Sequence, residues 1–214
     1  MRLLLPDAPT LSGLHSTLST RGHLRLTPAL PEAFAVACLR VLRATPHTPT
    51  QHVDPSFGHQ LWRYAWEPGT DCTDHPLCDL GHALAHALPQ LVSSHLTLDL
   101  PLVSDAHRKG AFADPFDART QTATLAPRRL PATHLVVLHL STQPWPRSWG
   151  GHFETLYGEA FAPTWNTLDL IDLTALTTLT ALTTPTTNPQ LRMPLLEHHL
   201  GPTDSFTVTC ALRP

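Results

Sequence analysis

The chain reads as an α+β protein with helices first and an antiparallel β core after them. Two observations predict this. Apolar residues recur at helical spacing in 32–43 and 77–91, whereas downstream segments alternate apolar and polar residues at a period of two. A third observation permits it: hydrophobic residues make up 42% of the 214 positions, enough to bury a sizeable core in one domain spanning 1–214.

Residues 1–20 are punctuated by Pro, Ser and Thr, and 1–19 are expected to be an extended lead-in. Residues 22–27 (GHLRLT) alternate like a short strand. Pro31 suits the first position of a helix, and 32–43 (EAFAVACLRVLR) carries the apolar stripe that follows. Residues 44–58 hold Pro46, Pro49 and Pro55 and read as loop, as do 68–76. Between them, 61–66 (LWRYAW) is strand-like, with Trp62, Tyr64 and Trp66 on one face as core or pocket lining. Leu77, Leu80, Leu84, Leu88 and Leu91 form one stripe of a second amphipathic helix. Residues 96–102, 133–140, 153–157, 167–173 and 206–212 then alternate as strands between Pro- and Gly-rich turns. The TALTT echo within 174–184 reads as a Thr-rich strand and solvated loop, and Glu197-His198-His199 as a loop before the last strand.

Charge narrows the partners. Charged residues are 14% of the chain and the formal net charge is −3. There is no basic footprint for nucleic acid, so the expected partner is a small molecule or another protein. No apolar run reaches a membrane span, and the three leucines before Pro6 and Asp7 are too short for a signal h-region. The expectation is a cytoplasmic protein that does not engage membranes, whose four cysteines (Cys38, Cys72, Cys78, Cys210) need not pair. Fifteen histidines supply material for metal sites. One Lys (Lys109) and one Ile (Ile171) look like genome composition and carry no functional message.

The most informative stretch is 144–157 (PWPRSWGGHFETLY). It follows the apolar strand of 135–140 and precedes 162–172 (APTWNTLDLID). This order resembles the Fe(II)/2-oxoglutarate-dependent dioxygenases, in particular their prolyl 4-hydroxylase-like branch. His139-Leu140-Ser141 stands in the place of the family's Tyr-Leu-Asn turn, Trp149-Gly150-Gly151 in that of its glycine pair, and 166–171 in that of its next strand. Upstream, Gly110-Ala111-Phe112 is similar to the entry to the family's metal motif. Adjacent glycines also permit a tight turn beside a cavity on backbone grounds alone. The resemblance covers about 20–214. It implies a double-stranded β-helix, or jelly roll, with supporting N-terminal helices, and Fe(II) and 2-oxoglutarate as cofactors of an active member.

The same alignment removes the family's donors. Its His-x-Asp slot falls on Phe116-Asp117-Ala118, its distal His near Leu191-Arg192-Met193, and its basic 2-oxoglutarate anchor on Ser205. Phe116, Ala118, Leu191 and Ser205 thus replace the usual ligands, and Phe116 is expected to fill the space that iron would occupy. The first reading is a degenerate dioxygenase-like protein acting as a binding or partner subunit. The alternative is an active hydroxylase of a peptide or small molecule with displaced ligands. For the latter, His152-Phe153-Glu154 offers His152 and Glu154 on one strand face, joined by His139 or His134. His52-Val53-Asp54 is a literal His-x-Asp but reads as polar loop. A third reading is a structural zinc site: Cys78, His82 and His86 lie at i, i+4 and i+8 of the second helix, with Cys72 and His75 from the loop before it. No Gly-x-Ser-x-Gly, Walker loop or Gly-x-Gly-x-x-Gly is present.

Overall fold

The computed structural model describes residues 4, 8–46, 48–49, 62–66, 75–92, 97–107, 122–124, 133–141, 153–154, 160–172, 192–194 and 205–213. Chain order runs α1 (Ala8–Arg21), β1 (His23–Leu26), α2 (Glu32–Ala44), β2 (Thr48–Pro49), β3 (Trp62–Trp66), α3 (Pro76–Val92) and β4 (Thr97–His107). Then follow β5 (Thr122–Thr124), β6 (His134–His139), β7 (Phe153–Glu154), β8 (Ala160–Phe161), β9 (Thr167–Asp172), β10 (Arg192–Pro194) and β11 (Ser205–Arg213).

Seven strands form one antiparallel sheet in the order β1-β9-β6-β11-β4-β3-β2. Two short ladders, β10-β5 and β7-β8, make further two-stranded sheets, with β10 lying alongside β7. Because side chains alternate along a strand, register fixes two faces of the large sheet. Leu24 and Leu26, Leu168 and Leu170, Val136 and Leu138, and Phe206, Val208 and Leu212 are all buried in one apolar cluster with the three helices. His23, Arg25, His139 and Asp169 occupy the intervening positions and stand on the other face.

The helices follow from their apolar spacing. α2 buries Phe34, Ala35, Cys38, Leu39 and Leu42, and α3 buries Leu77, Leu80, Leu84, Leu88 and Leu91. Pro76 opens α3, where it lacks only a donor that would be unpaired anyway. The His75 carbonyl accepts from the amides of Cys78 and Asp79, and its ring Nδ1 accepts from Leu77 N at 3.3 Å.

Residues 8–21 correct the extended lead-in expected for 1–19: they are helical. Leu14 and Leu18, four apart, turn toward the core. The hydroxyls of Thr17 and Thr20 donate to the carbonyls of Gly13 and Ser16, four residues back, so these residues satisfy their polar groups inside a helix. Gly22, at φ 65°, ends α1 in the left-handed region and turns the chain directly into β1. The short β2, β5, β8 and β10 were not legible as strands in the sequence. Each has two or three residues, too few to display alternation.

Candidate polar site on the second face of the sheet

Asp169 is the centre of the polar face. It sits mid-strand in β9, directly opposite Arg25 on β1 and Val137 on β6. His23 pairs with Ile171 and His139 with Thr167, so the two imidazoles flank Asp169 diagonally, from opposite ends and opposite sides. Asp169 is 1% exposed, His23 6% and His139 3%.

Each oxygen of the carboxylate accepts twice. Arg25 Nε donates to Oδ1 at 2.7 Å, and His23 Nε2 lies 3.0 Å from the same oxygen. An Arg25 terminal nitrogen donates to Oδ2 at 2.7 Å, and His139 Nε2 lies 2.9 Å from it. Four donors therefore use the carboxylate's full accepting capacity. Burial alone would raise the Asp169 pKa. The hydrogen bonds from Arg25, His139 and His23, with the nearby His139 charge when it is protonated, outweigh burial and hold it far below the usual carboxylate range. The other Arg25 terminal nitrogen donates to the Ala162 carbonyl at 2.9 Å. Its guanidinium also lies 4.9 Å from the centre of the Phe161 ring, which packs 4.5 Å from His23.

The turn before β9 holds this arrangement in register. Asn166 adopts φ 53°, accepts from Leu30 N at 2.9 Å and donates to the Leu30 carbonyl at 2.7 Å. The Thr167 hydroxyl contacts those of Thr27 (3.0 Å) and Thr164 (2.7 Å). The β1–α2 connection and the start of β9 are thus tied side chain to backbone and hydroxyl to hydroxyl.

One polar atom is left over. Nδ1 of His139 is buried and has no hydrogen-bond partner among the described residues. Since an ionised carboxylate only accepts, Nε2 of His139 carries the proton in the Asp169 contact.

Of the sequence candidates among the described residues, His139 alone is placed in this cluster. His134 is on the same strand but pairs with Asp172 and Leu212. Burial lowers the His134 pKa, against the raising effect of Asp172. Glu154 lies in β7 and Ser205 opens β11 opposite His107. Phe116, Ala118, Leu191, His152, Cys72 and the Trp149-Gly150-Gly151 segment lie outside the described residues. His82 and His86 are exposed on α3, and Cys78 is disulfide-bonded, so its sulfur offers no thiolate to zinc in this state. The sequence left the pairing of the four cysteines open, and Cys78 is paired. His23, Arg25 and Asp169 were missed by sequence reasoning. The available signal was a lone acid inside the apolar run Leu-Asp-Leu-Ile, which demands a cationic or donor partner if both faces are covered.

No protein-family model and no curated protein sequence matches the chain. Solved structures do. A prolyl-4-hydroxylase from Pseudomonas putida aligns over 96% of this chain and 100% of its own, with a TM-score of 0.60 at 15% identity. A 2OG-Fe(II) oxygenase family oxidoreductase from Burkholderia pseudomallei aligns over 100% and 95%, with a TM-score of 0.58 at 13% identity. A non-heme α-ketoglutarate-dependent epimerase, SnoN from nogalamycin biosynthesis, aligns over 97% and 87%, with a TM-score of 0.61 at 13% identity. The chain has the fold of the 2-oxoglutarate/Fe(II) oxygenases. Its structural likeness to the prolyl-4-hydroxylase extends along nearly the whole of both chains.

That fold class implies iron and 2-oxoglutarate. The described residues do not fit the iron: among them no three His, Cys, Asp or Glu side chains are arranged to hold a metal ion. The one buried carboxylate of the polar face, Asp169, has its accepting positions filled by Arg25, His23 and His139. No described helix is long and apolar enough to cross a membrane.

Proposed function

We propose that this is an oxygenase-fold protein that has given up iron chemistry and works as a binding or partner subunit, holding a small molecule or a protein segment over the polar face of its sheet. The supporting observation is the closed Arg25–Asp169–His139–His23 cluster. A carboxylate bound by four donors is a structural centre, not an open metal ligand, and freeing it would take the acceptor from the half-buried Arg25 Nε and one terminal nitrogen and from two buried imidazole N–H groups. The sequence alignment points the same way, with Phe116, Ala118, Leu191 and Ser205 at the positions of the usual ligands. In this reading β5-β10 and β7-β8 form a second layer that closes the molecule into a jelly roll, with the cluster inside.

The deciding experiment is anaerobic titration with Fe(II), followed by measurement of succinate released from 2-oxoglutarate in air. The expected outcome is no stoichiometric iron and no succinate above a protein-free control. One equivalent of iron with turnover would instead establish an active 2-oxoglutarate-dependent hydroxylase with displaced ligands, such as His139, His152 and Glu154. Zinc retained through purification and lost in Cys78→Ser would favour the structural zinc site of Cys72, Cys78, His82 and His86.

A further inference from the structure

We propose that the end of β8, Phe161 with the Ala162 that follows it, is a strap latched over the polar face by Arg25, and that it opens while the seven-stranded sheet stays folded. Its use rests on the binding reading above: a ligand for the polar face has to reach Asp169, His139 and His23, which are 1%, 3% and 6% exposed. β8 pairs with β7 in a sheet of two short strands, and among the described residues neither strand joins a ladder of the seven-stranded sheet. A two-stranded ladder is marginal by itself, so side-chain contact has to hold it down. Arg25 supplies such contact. One terminal nitrogen donates to the Ala162 carbonyl at 2.9 Å, and the guanidinium lies 4.9 Å from the centre of the Phe161 ring. The same ring packs 4.5 Å from His23.

The latch and the carboxylate cluster use different atoms of Arg25. Its Nε and other terminal nitrogen go to Asp169, and the four donors on that carboxylate come from Arg25, His23 and His139, none from β8. Opening the strap therefore leaves the ion pair intact. The nitrogen released from Ala162 meets water, since the Arg25 side chain is already 19% exposed. The fixed end lies close by. Asn166 is tied to both backbone groups of Leu30, so a movement that begins at Ala162 stops short of β9. Local opening of this kind exposes a buried group for less than the cost of global unfolding.

The test treats the whole, metal-free chain with diethyl pyrocarbonate, which carbethoxylates accessible imidazoles. Each site is read by tandem mass spectrometry, at one pH, over urea concentrations up to the unfolding transition. His82 and His86, exposed on α3, give the uncovered rate in the same chain. Cys38 and Cys210, buried and free, are alkylated in parallel with iodoacetamide and report global unfolding. His23 is expected to label at least about tenfold more slowly than His82 or His86, at a rate that stays flat in low urea while both thiols accelerate. Phe161→Leu keeps an apolar cover but gives up the ring face that Arg25 meets. It is expected to raise His23 labelling, relative to the thiols, by about two- to fivefold. Three results would each overturn the proposal: His23 labelling as fast as His82, His23 labelling that rises with urea in step with the thiols, or an unchanged ratio in Phe161→Leu. Succinate turnover, by contrast, defeats the subunit reading and leaves the strap standing.

Discussion

The two faces of the β1-β9-β6 strands are built from the same short segments and by opposite means. On the helix side, Leu24, Leu26, Leu168, Leu170, Val136 and Leu138 meet other apolar side chains, with no directional requirement. On the other side, one residue away along each strand, His23, Arg25, Asp169 and His139 meet through four directed contacts of 2.7–3.0 Å. The first face tolerates exchange of its parts as long as volume is kept. The second is specified atom by atom, because each member satisfies a buried group on another.

Asp169→Ala is expected to produce the largest effect. It removes the acceptor of a half-buried guanidinium and of two buried imidazole N–H groups, a loss of about 3 kcal/mol in urea unfolding. A cost no greater than that of an exposed substitution would mean that the polar face is not a network. The pH dependence sharpens the same point. Because the folded-state pKa of Asp169 lies below its unfolded value, its contribution is complete above the ordinary carboxylate range. It is lost as pH falls below about 4. The stability gap between the wild-type protein and Asp169→Asn should therefore narrow steadily between about pH 5 and pH 2.5. A gap that stays constant over that interval would show that the carboxylate charge is not what the cluster uses.

How much of this was legible in the sequence follows the same division. Helix α3 could be read because five leucines repeat on one stripe, and β1, β6, β9 and β11 because alternation persists for four residues or more. The apolar face is a statistical property of sequence, so it shows. The likeness to the oxygenases was carried by Trp149-Gly150-Gly151 and the Asn166 strand, and the structural neighbours bear out that fold. The polar cluster was not legible, because its members stand at 23, 25, 139 and 169 and only strand order brings them together. Helix α1 was missed for a different reason. Ser and Thr spread through residues 10–20 imitate a loop composition, and nothing local reveals that Thr17 and Thr20 bond back within a helix.

The neighbouring position breaks the symmetry of the comparison from the other side. Leu170→Ala, next to Asp169 but facing the helices at 0% exposure, should cost about 3 kcal/mol through lost burial and the cavity left behind. Leu170→Met should cost less than about 1.5 kcal/mol, since the volume is nearly conserved. Asp169→Glu, the equally conservative change at the next residue, should cost more than Leu170→Met, because one added methylene displaces all four contacts together. If thermal unfolding ranks these two conservative variants the other way round, the polar face is the adaptable one and the distinction drawn between the faces is reversed.

The smallest effect concerns the helices that cover the apolar face, and it has the opposite sign. Gly13 in α1 and Gly81 in α3 both lie inside helices, where glycine is less favourable than alanine by roughly 0.5–1 kcal/mol. A methyl group added at Gly13 meets nothing within 4 Å, whereas one at Gly81 reaches Leu102 Cδ1 at 3.5 Å, ordinary van der Waals contact. Gly13→Ala should therefore gain the propensity term alone. Gly81→Ala should gain as much or slightly more, because the methyl adds contact with a buried leucine at the α3–β4 seam. Both variants should melt a few degrees above the parent chain. A loss at Gly81 would mean that α3 sits closer to the sheet than a methyl allows, and so that the apolar face is packed as specifically as the polar one.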